Sequence, residues 1–177
     1  MKYVVSLLGV LLSVVACKSD PAPMPDGPDP VSILPASYTA TFTEVRACRG
    51  PSTEHNQKYV RVLADPAAMG PYVTRASEFP VGSVVVKEEY GENDATCAGP
   101  IVDWTVMSRL ATGSSPATID WRWQRIIEAT GHVQEDLPGN CETSGVPCNC
   151  VGCHTMCGVY DAADPNNHGY LGTCEVP

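Results

Sequence analysis

Three stretches in the middle of the chain alternate between apolar and polar residues, at 83–90, 101–110 and 118–129. Successive side chains of a β-strand point to opposite sides, so a period of two predicts strands with two distinct faces. In the first stretch, Val84 and Val86 share one face, and Val85 and Lys87 share the other. Because β-branched and aromatic residues occupy the inward positions, the three stretches predict an antiparallel sheet with one face buried.

Weaker patterns predict shorter elements around these strands. Strands are expected at 38–47, ending near Cys48, and at 59–63, with a polar loop at 49–57. Asp65-Pro66 combines an N-cap residue with a proline at the first helical position, so a short helix is expected from there towards Arg75. The chain after Gly131 is punctuated by proline, glycine and cysteine. The predicted fold is therefore mainly β within the α+β class: an antiparallel sheet, a few short helices and a loop-rich, disulfide-stapled C-terminal segment.

The N-terminus has the pattern of a targeting segment. Lys2 precedes an apolar run too short for a spanning helix, and the run ends in small residues before Cys17. Residues 1–16 are expected to be a lipoprotein signal peptide, with Cys17 lipidated; an ordinary signal peptide is the alternative. Residues 17–37 contain six prolines and predict a semi-extended tether to a domain at 38–177. We therefore expect a protein of the bacterial cell envelope, periplasmic or facing the outer membrane, held to the membrane by a lipid anchor only.

The charge balance restricts the class of partner. The chain has 20 acidic against 11 basic residues among 177. Nucleic-acid phosphates require clustered basic side chains, so no nucleic-acid partner is expected. A homodimer is compatible with the sequence.

The strongest chemical motif is Cys150-Val-Gly-Cys153-His154, the pattern of c-type haem attachment. Two thiols at this spacing can form thioethers to the two vinyl groups of haem c, and the histidine can ligate the iron. Six of the nine cysteines lie from Cys141 to Cys174, so a disulfide knot is one alternative. A zinc site formed by these thiols is another, although an exported chain is a poor place for it because its thiols tend to be oxidised.

The number of cysteines is compatible with haem attachment. Lipidation uses one and haem uses two, which leaves an even number for disulfides. These disulfide candidates are Cys48, Cys97, Cys141, Cys148, Cys157 and Cys174. Bridges at the two cysteines that flank the motif could hold the haem-binding loop ready or prevent haem attachment.

The order of several motifs resembles the cytochrome P460 family and its relatives, the beta-type cytochromes c-prime. The matching stretches are 59–66, with its Asp-Pro helix start; 79–88, a Pro/Gly turn into a Val-rich strand ending in Lys-Glu; 120–123, with two tryptophans; and 150–154, with Asp161 seven residues after the histidine. The resemblance covers the chain from about Tyr59 to Asp161. It implies an exported c-type cytochrome built on an antiparallel sheet.

The resemblance also implies roles for individual residues. Cys150 and Cys153 would be the thioether cysteines and His154 the proximal ligand. Lys87 lies where cytochromes P460 carry a lysine bonded to the porphyrin edge, a link that goes with hydroxylamine oxidation; a solvated strand lysine is the alternative. Asp161 is a candidate proton acceptor, since hydroxylamine oxidation must release protons.

The expected activity follows from that resemblance. The open distal site would take a small nitrogen-oxide substrate or ligand, either hydroxylamine to be oxidised or nitric oxide, and electrons would pass to an acceptor cytochrome. The alternatives are a gas-binding or electron-transfer haem protein without turnover, and a haem-free disulfide-stapled lipoprotein. Other acidic residues, Glu88, Glu89 and Asp120, are expected to form surface ion pairs, and His55, His132 and His168 to be solvated loop residues.

Overall fold

The computed structural model describes residues 30–52, 57–136, 150–151, 154 and 170–174. The helices are α1, Tyr38–Thr41, and α2, Pro66–Thr74, with one 3₁₀ turn at Pro116–Thr118. The strands are β1, Thr43–Ser52; β2, Lys58–Ala64; β3, Val84–Tyr90; β4, Ile101–Arg109; β5, Trp121–Ile127; and β6, Val133–Asp136. No helix in these ranges is long and apolar enough to cross a membrane.

The strands described here form one antiparallel sheet in the order β1-β2-β3-β4-β5-β6. Each strand pairs with the next one along the chain, as strands that are consecutive in sequence commonly do. The register aligns residues of neighbouring strands across one face. One row across the sheet consists of Ala64, Val85, Met107 and Trp123. The adjacent row on the same face consists of Val62, Lys87, Thr105 and Arg125. The mainly antiparallel sheet with short helices confirms the predicted fold class.

The sheet is buried on both faces, whereas the sequence pattern predicted one buried face. On the first face, α2 and Cys150-Val151 pack onto the sheet; its core contains Val62, Ala64, Ala68, Tyr72, Phe79, Val85, Met107, Trp121 and Trp123. On the second face, α1 and the residues before it cover Leu63, Val84, Val86 and Val106. The prediction was wrong because segments without sheet periodicity supply the second layer.

The N-terminal part of the folded region also differs from prediction. Tyr38–Thr41 is a helical turn, where a strand was expected, and it places the Tyr38 side chain on the sheet. Strand β1 then runs through Cys48 to Ser52, into the predicted polar loop. Before α1, the side chain of Gln124 bonds the backbone of Val31 and Ile33, which lie in the range predicted as tether. Strand β6 was not predicted.

Helix α2 begins and ends as its sequence predicts. Asp65 is the N-cap, and its side chain accepts a bond of 2.6 Å from the Ala68 N–H. The other carboxylate oxygen accepts a bond of 3.1 Å from the Val84 N–H, so the same residue joins the helix to β3. Arg75 terminates the helix in the left-handed conformation. The cap therefore fixes where β3 starts, and with it the position of Lys87.

Candidate functional site

Cys150 and His154 lie on one helical turn. The His154 N–H donates to the Cys150 carbonyl over 2.9 Å, the i to i+4 bond of an α-helix. Residues four apart share a helix face, so both side chains point the same way. Both are buried, with Cys150 6% and His154 7% exposed, and Cys150 carries a thiol. Two members of the predicted haem motif are therefore held together inside the protein; Cys153 lies outside the described residues.

The His154 ring is oriented by a backbone carbonyl. Its Nδ1 lies 2.6 Å from the Gly172 oxygen. A carbonyl only accepts hydrogen bonds, so Nδ1 carries the proton and Nε2 presents a lone pair. This is the arrangement in which histidine ligates a metal through Nε2, with its other nitrogen bonded to a second group.

Lys87 faces that lone pair. Its Nζ lies 3.2 Å from His154 Nε2 and donates to it. Lys87 is on the first face of the sheet because Val85, two residues earlier on β3, points into the same core. Lys87 is therefore half-buried and bonded to His154, which argues against the alternative of a solvated strand lysine. The structure brings Lys87, Cys150 and His154 together from parts of the chain more than 60 residues apart.

A cavity that is partly open to solvent lies beside these residues. Its lining is mostly apolar: Val85, Val106, Met107 and Trp123, with Lys87, Thr105, Cys150 and His154. A second cavity is also lined by Lys87 and His154, together with Arg46 and Tyr72. The Trp123 and His154 rings pack with centroids 4.6 Å apart. Space and aromatic packing thus surround the imidazole.

These residues fit a haem c. A buried thiol and an imidazole whose unprotonated Nε2 accepts a bond from Lys87 lie beside apolar space, and a thiol with an imidazole is the donor set that covalent haem requires. The Thr105 hydroxyl oxygen is buried with no hydrogen-bond partner among the described residues. A buried polar atom without a partner is costly, so a polar group in the cavity would satisfy it.

A charged cluster continues the first face beyond Lys87. Lys58 pairs with Glu89 at 3.0 Å and also with Asp103, and Arg125 bonds Asp103 at 2.7 Å. Burial lowers the pKa of Arg125, but the hydrogen bond and charge of Asp103 outweigh it and leave that pKa raised. The Glu89 side chain is 3% exposed, so its ion pair with Lys58 is buried and is not the surface ion pair that was predicted.

Glu88 lies on the opposite face and is equally buried. Its carboxylate accepts bonds from Tyr38 at 2.9 Å, Tyr90 at 2.8 Å and Arg61 at 2.7 Å, and Trp104 donates to the Tyr38 oxygen. Burial, together with Glu88, raises the pKa of Tyr38 to about 12, although the bond from Trp104 opposes the rise. Every oxygen of Glu88 is engaged in this network, so the expected surface pairing was again wrong and the role is structural.

Asp120 organises a loop away from the site. It accepts bonds from the N–H groups of Gly113 at 2.8 Å and Ser115 at 2.7 Å. These bonds hold the pKa of the Asp120 carboxyl below its usual value. The side chain is buried. It is a loop cap, and not the surface ion pair that was predicted.

The structure describes three of the six cysteines that were predicted to form disulfides. Cys48 and Cys97 form a disulfide that joins β1 to the β3–β4 loop, and Cys174 is also disulfide-bonded. His132 is half-buried in the β5–β6 loop. The remaining predicted residues lie outside the described part of the chain: Cys17, Cys141, Cys148, Cys153, Cys157, Asp161, His55 and His168. Within the described ranges, no three metal-binding side chains form a group, but most thiols of the alternative zinc site are not among them.

Sequence reasoning missed several residues of the site. Trp123, Thr105 and Met107 face Lys87 because of strand register, and β-strand alternation could have placed them there once Lys87 was singled out. Gly172 carried no usable signal, because a backbone carbonyl in a C-terminal turn has no side-chain pattern.

Comparison with known families agrees with this geometry. The family model for cytochrome P460 matches residues 35–162, which is most of the chain and includes Lys87, the Cys150–His154 motif and Asp161. Among curated proteins, none matches the chain. The match contains all six strands and both helices. The chain belongs to the cytochrome P460 family and is thus a member of a family of c-type haem proteins.

Proposed function

We propose that this protein is an exported cytochrome with one haem c that oxidises hydroxylamine at the first face of its sheet. The observation that carries the proposal is the 3.2 Å distance between Lys87 Nζ and His154 Nε2. It brings an amine next to the atom that would ligate the iron, as the family resemblance requires of a lysine that reaches the porphyrin.

Three residues would hold the haem. Cys150 and Cys153 would form the thioethers, and His154 would ligate the iron through Nε2. When bound, the haem supplies one-electron oxidation chemistry. The cavity beside His154 provides apolar walls, mainly Val85, Met107 and Trp123, which exclude water from the reacting substrate.

Lys87 is held in place for its role by the sheet. Its neighbours across β2 and β4 are Val62 and Thr105, so its backbone is paired on both sides. A side chain on a rigid central strand keeps its position better than one on a loop. We therefore assign to Lys87 the bond to the porphyrin edge that distinguishes hydroxylamine-oxidising members of the family.

The overall reaction balances as NH₂OH → NO + 3H⁺ + 3e⁻. The electrons would leave one at a time to an oxidised acceptor cytochrome. The protons need acceptors, and Glu89 and Asp103 are buried carboxylates on the same face as Lys87. Asp161 is the other carboxylate that we propose for this role, from its place after the haem motif.

Binding of nitric oxide without turnover is the second candidate function. The mostly apolar lining of the cavity favours it, since a small uncharged ligand needs few polar partners. In this case Lys87 would remain an ordinary amine. The signal peptide of residues 1–16 and the lipid on Cys17 would place either activity at the bacterial cell envelope.

The test begins with haem and then turns to Lys87. The full chain is made with haem-maturation machinery, stained for covalent haem on a denaturing gel, and assayed for hydroxylamine-dependent reduction of an acceptor cytochrome. Lys87→Arg keeps the positive charge but removes the primary amine. We expect turnover to fall by roughly 100-fold or more, the scale on which loss of one preorganised group acts.

The matched control is Lys58→Arg. It makes the same substitution on the same sheet face and preserves the charge that pairs with Glu89 and Asp103. Turnover should stay within about twofold of wild type. Haem with nitric-oxide binding but no hydroxylamine oxidation would favour the second function, and a chain without covalent haem would refute both.

A further inference from the structure

Residues 170–173 form a tight turn against the haem motif. Tyr170 and Thr173 exchange two backbone hydrogen bonds of 2.9 Å each. The two central residues have positive φ, 46° at Leu171 and 93° at Gly172. Positive φ at both central positions defines a type I′ turn, the geometry that favours glycine. The turn lies beyond residue 162, where the match to the family ends.

The turn presents two successive carbonyls to two different rings. The Leu171 oxygen accepts a bond of 2.6 Å from Trp121 Nε1, and the Gly172 oxygen accepts one of 2.6 Å from His154 Nδ1. A Cβ on Gly172 would lie 2.8 Å from Trp121 Nε1, closer than real contacts allow. Only glycine therefore lets the turn reach the indole and the imidazole at the same time.

Several contacts fasten the turn to the domain. The Tyr170 hydroxyl donates to the Ser77 carbonyl over 2.6 Å, and the Arg75 guanidinium lies 6.0 Å from the Tyr170 ring centre. Cys174, directly after the turn, is disulfide-bonded. Its sulfur lies 3.5 Å from His154 Nδ1, farther than the Gly172 oxygen and a weaker acceptor. The carbonyl is thus the acceptor for the imidazole proton.

We propose that this C-terminal turn is the positioning element for His154 and sets its strength as a haem ligand. The inference rests on the proposed haem function. A hydrogen bond from Nδ1–H to a carbonyl fixes the tautomer and ring angle and raises the basicity of Nε2. A more basic ligand stabilises the ferric state over the ferrous state, so the turn lowers the reduction potential of the haem.

Disturbing the turn should therefore raise the reduction potential. Loss of a second-shell partner typically weakens metal ligation by 10- to 100-fold. A tenfold weakening of ferric relative to ferrous ligation moves a one-electron potential by about 59 mV. We expect a positive shift of at least this size, together with a lower iron–histidine stretching frequency in the resonance Raman spectrum.

Two variants of the full chain test this. Gly172→Ala displaces the turn from Trp121. Trp121→Phe keeps an aromatic ring in the core but removes the indole N–H that holds the Leu171 carbonyl, and it provides the test if the first variant does not fold. The matched control is Gly131→Ala, which also places alanine at a positive φ, 68°, but meets no atom within 4 Å. Its potential should equal that of wild type.

The same variants are examined without haem. Nitrogen-15 NMR of labelled histidines should show His154 protonated at Nδ1 in the wild-type chain and an altered ring environment in both variants. A wild-type ring protonated at Nε2, or potentials and spectra unchanged in both variants, would overturn the inference. Absence of covalent haem from wild type would defeat the proposed function alone, since the NMR result still decides the role of the turn.

Discussion

The two faces of the central strand use neighbouring residues in opposite ways. Glu88 is buried on the second face, and its carboxylate is surrounded by donors from Tyr38, Tyr90 and Arg61. Lys87, one residue earlier, points from the first face into a cavity beside His154. Both are charged residues inside the protein. The first belongs to a closed network, and the second faces space that a cofactor could fill.

Of these two adjacent residues, Glu88 is expected to matter for stability and Lys87 for the function of the site. A buried charge surrounded by matched donors stabilises the fold only as a complete set, because removal of one member leaves the others unsatisfied. Lys87 instead lies beside a cavity and contacts His154, the residue that we propose as the haem ligand. Substitutions on the second face should therefore affect folding, and those on the first face should affect the site.

The largest effect on folding is expected from Glu88→Ala. It leaves two buried hydroxyls and the Arg61 guanidinium without their acceptor, which should lower the free energy of unfolding by about 3 to 5 kcal/mol. Urea unfolding followed by tryptophan fluorescence measures the change. Glu92→Ala is the control, because Glu92 is exposed, and it should change stability by less than about 0.5 kcal/mol. Equal effects of the two substitutions would contradict the structural role of Glu88.

A loss of folding stability of intermediate size is expected at alkaline pH. Burial and the Glu88 carboxylate raise the pKa of Tyr38 from 10.0 to about 12, and burial and Glu88 also raise that of Tyr90. The folded state thus holds these protons more tightly than the unfolded state. Their contribution to stability is fully present below pH 10 and is lost as the pH rises towards 12.

Urea unfolding at pH 9, 10 and 11 checks this loss, with tyrosinate absorbance recorded in parallel. Tyr38→Phe should have a smaller fall in stability over this range than wild type, since one of the two titrating groups is gone. An identical pH dependence in the two proteins would show that Tyr38 does not carry the effect.

The smallest effect on folding is expected from Lys87→Met in the haem-free protein. Methionine keeps most of the aliphatic volume of the lysine and gives up its bond to His154, so stability should change by less than about 1 kcal/mol. In haem-loaded protein the same substitution should alter the absorbance spectrum. A large loss of stability with an unchanged spectrum would reverse the assignment of Lys87 and make it structural.

Regular alternation made much of the sheet predictable. Strands β3, β4 and β5 lie close to their predicted ranges, and the Asp65 cap fixes α2 as expected. The motif residues Cys150, His154 and Lys87 were also singled out, because their chemistry is carried by side chains at recognisable spacings.

Features that depend on tertiary context could not be predicted. Burial of the second face depends on α1, and a four-residue helix has too few positions to show a helical period. Glu88 and Asp120 are acidic residues that were expected at the surface, yet Glu88 is bonded by residues of α1 and β2, and Asp120 by backbone N–H groups of its own loop. The Gly172 carbonyl has no sequence signature at all, and only the three-dimensional structure places it on His154.

The most direct test of the central claim is the intact mass of the denatured protein after production with haem-maturation machinery. We predict that the wild-type chain is heavier than its polypeptide by one haem, and that Cys150→Ala combined with Cys153→Ala loses this mass. A wild-type mass equal to that of the polypeptide alone, with its disulfides formed, would contradict it.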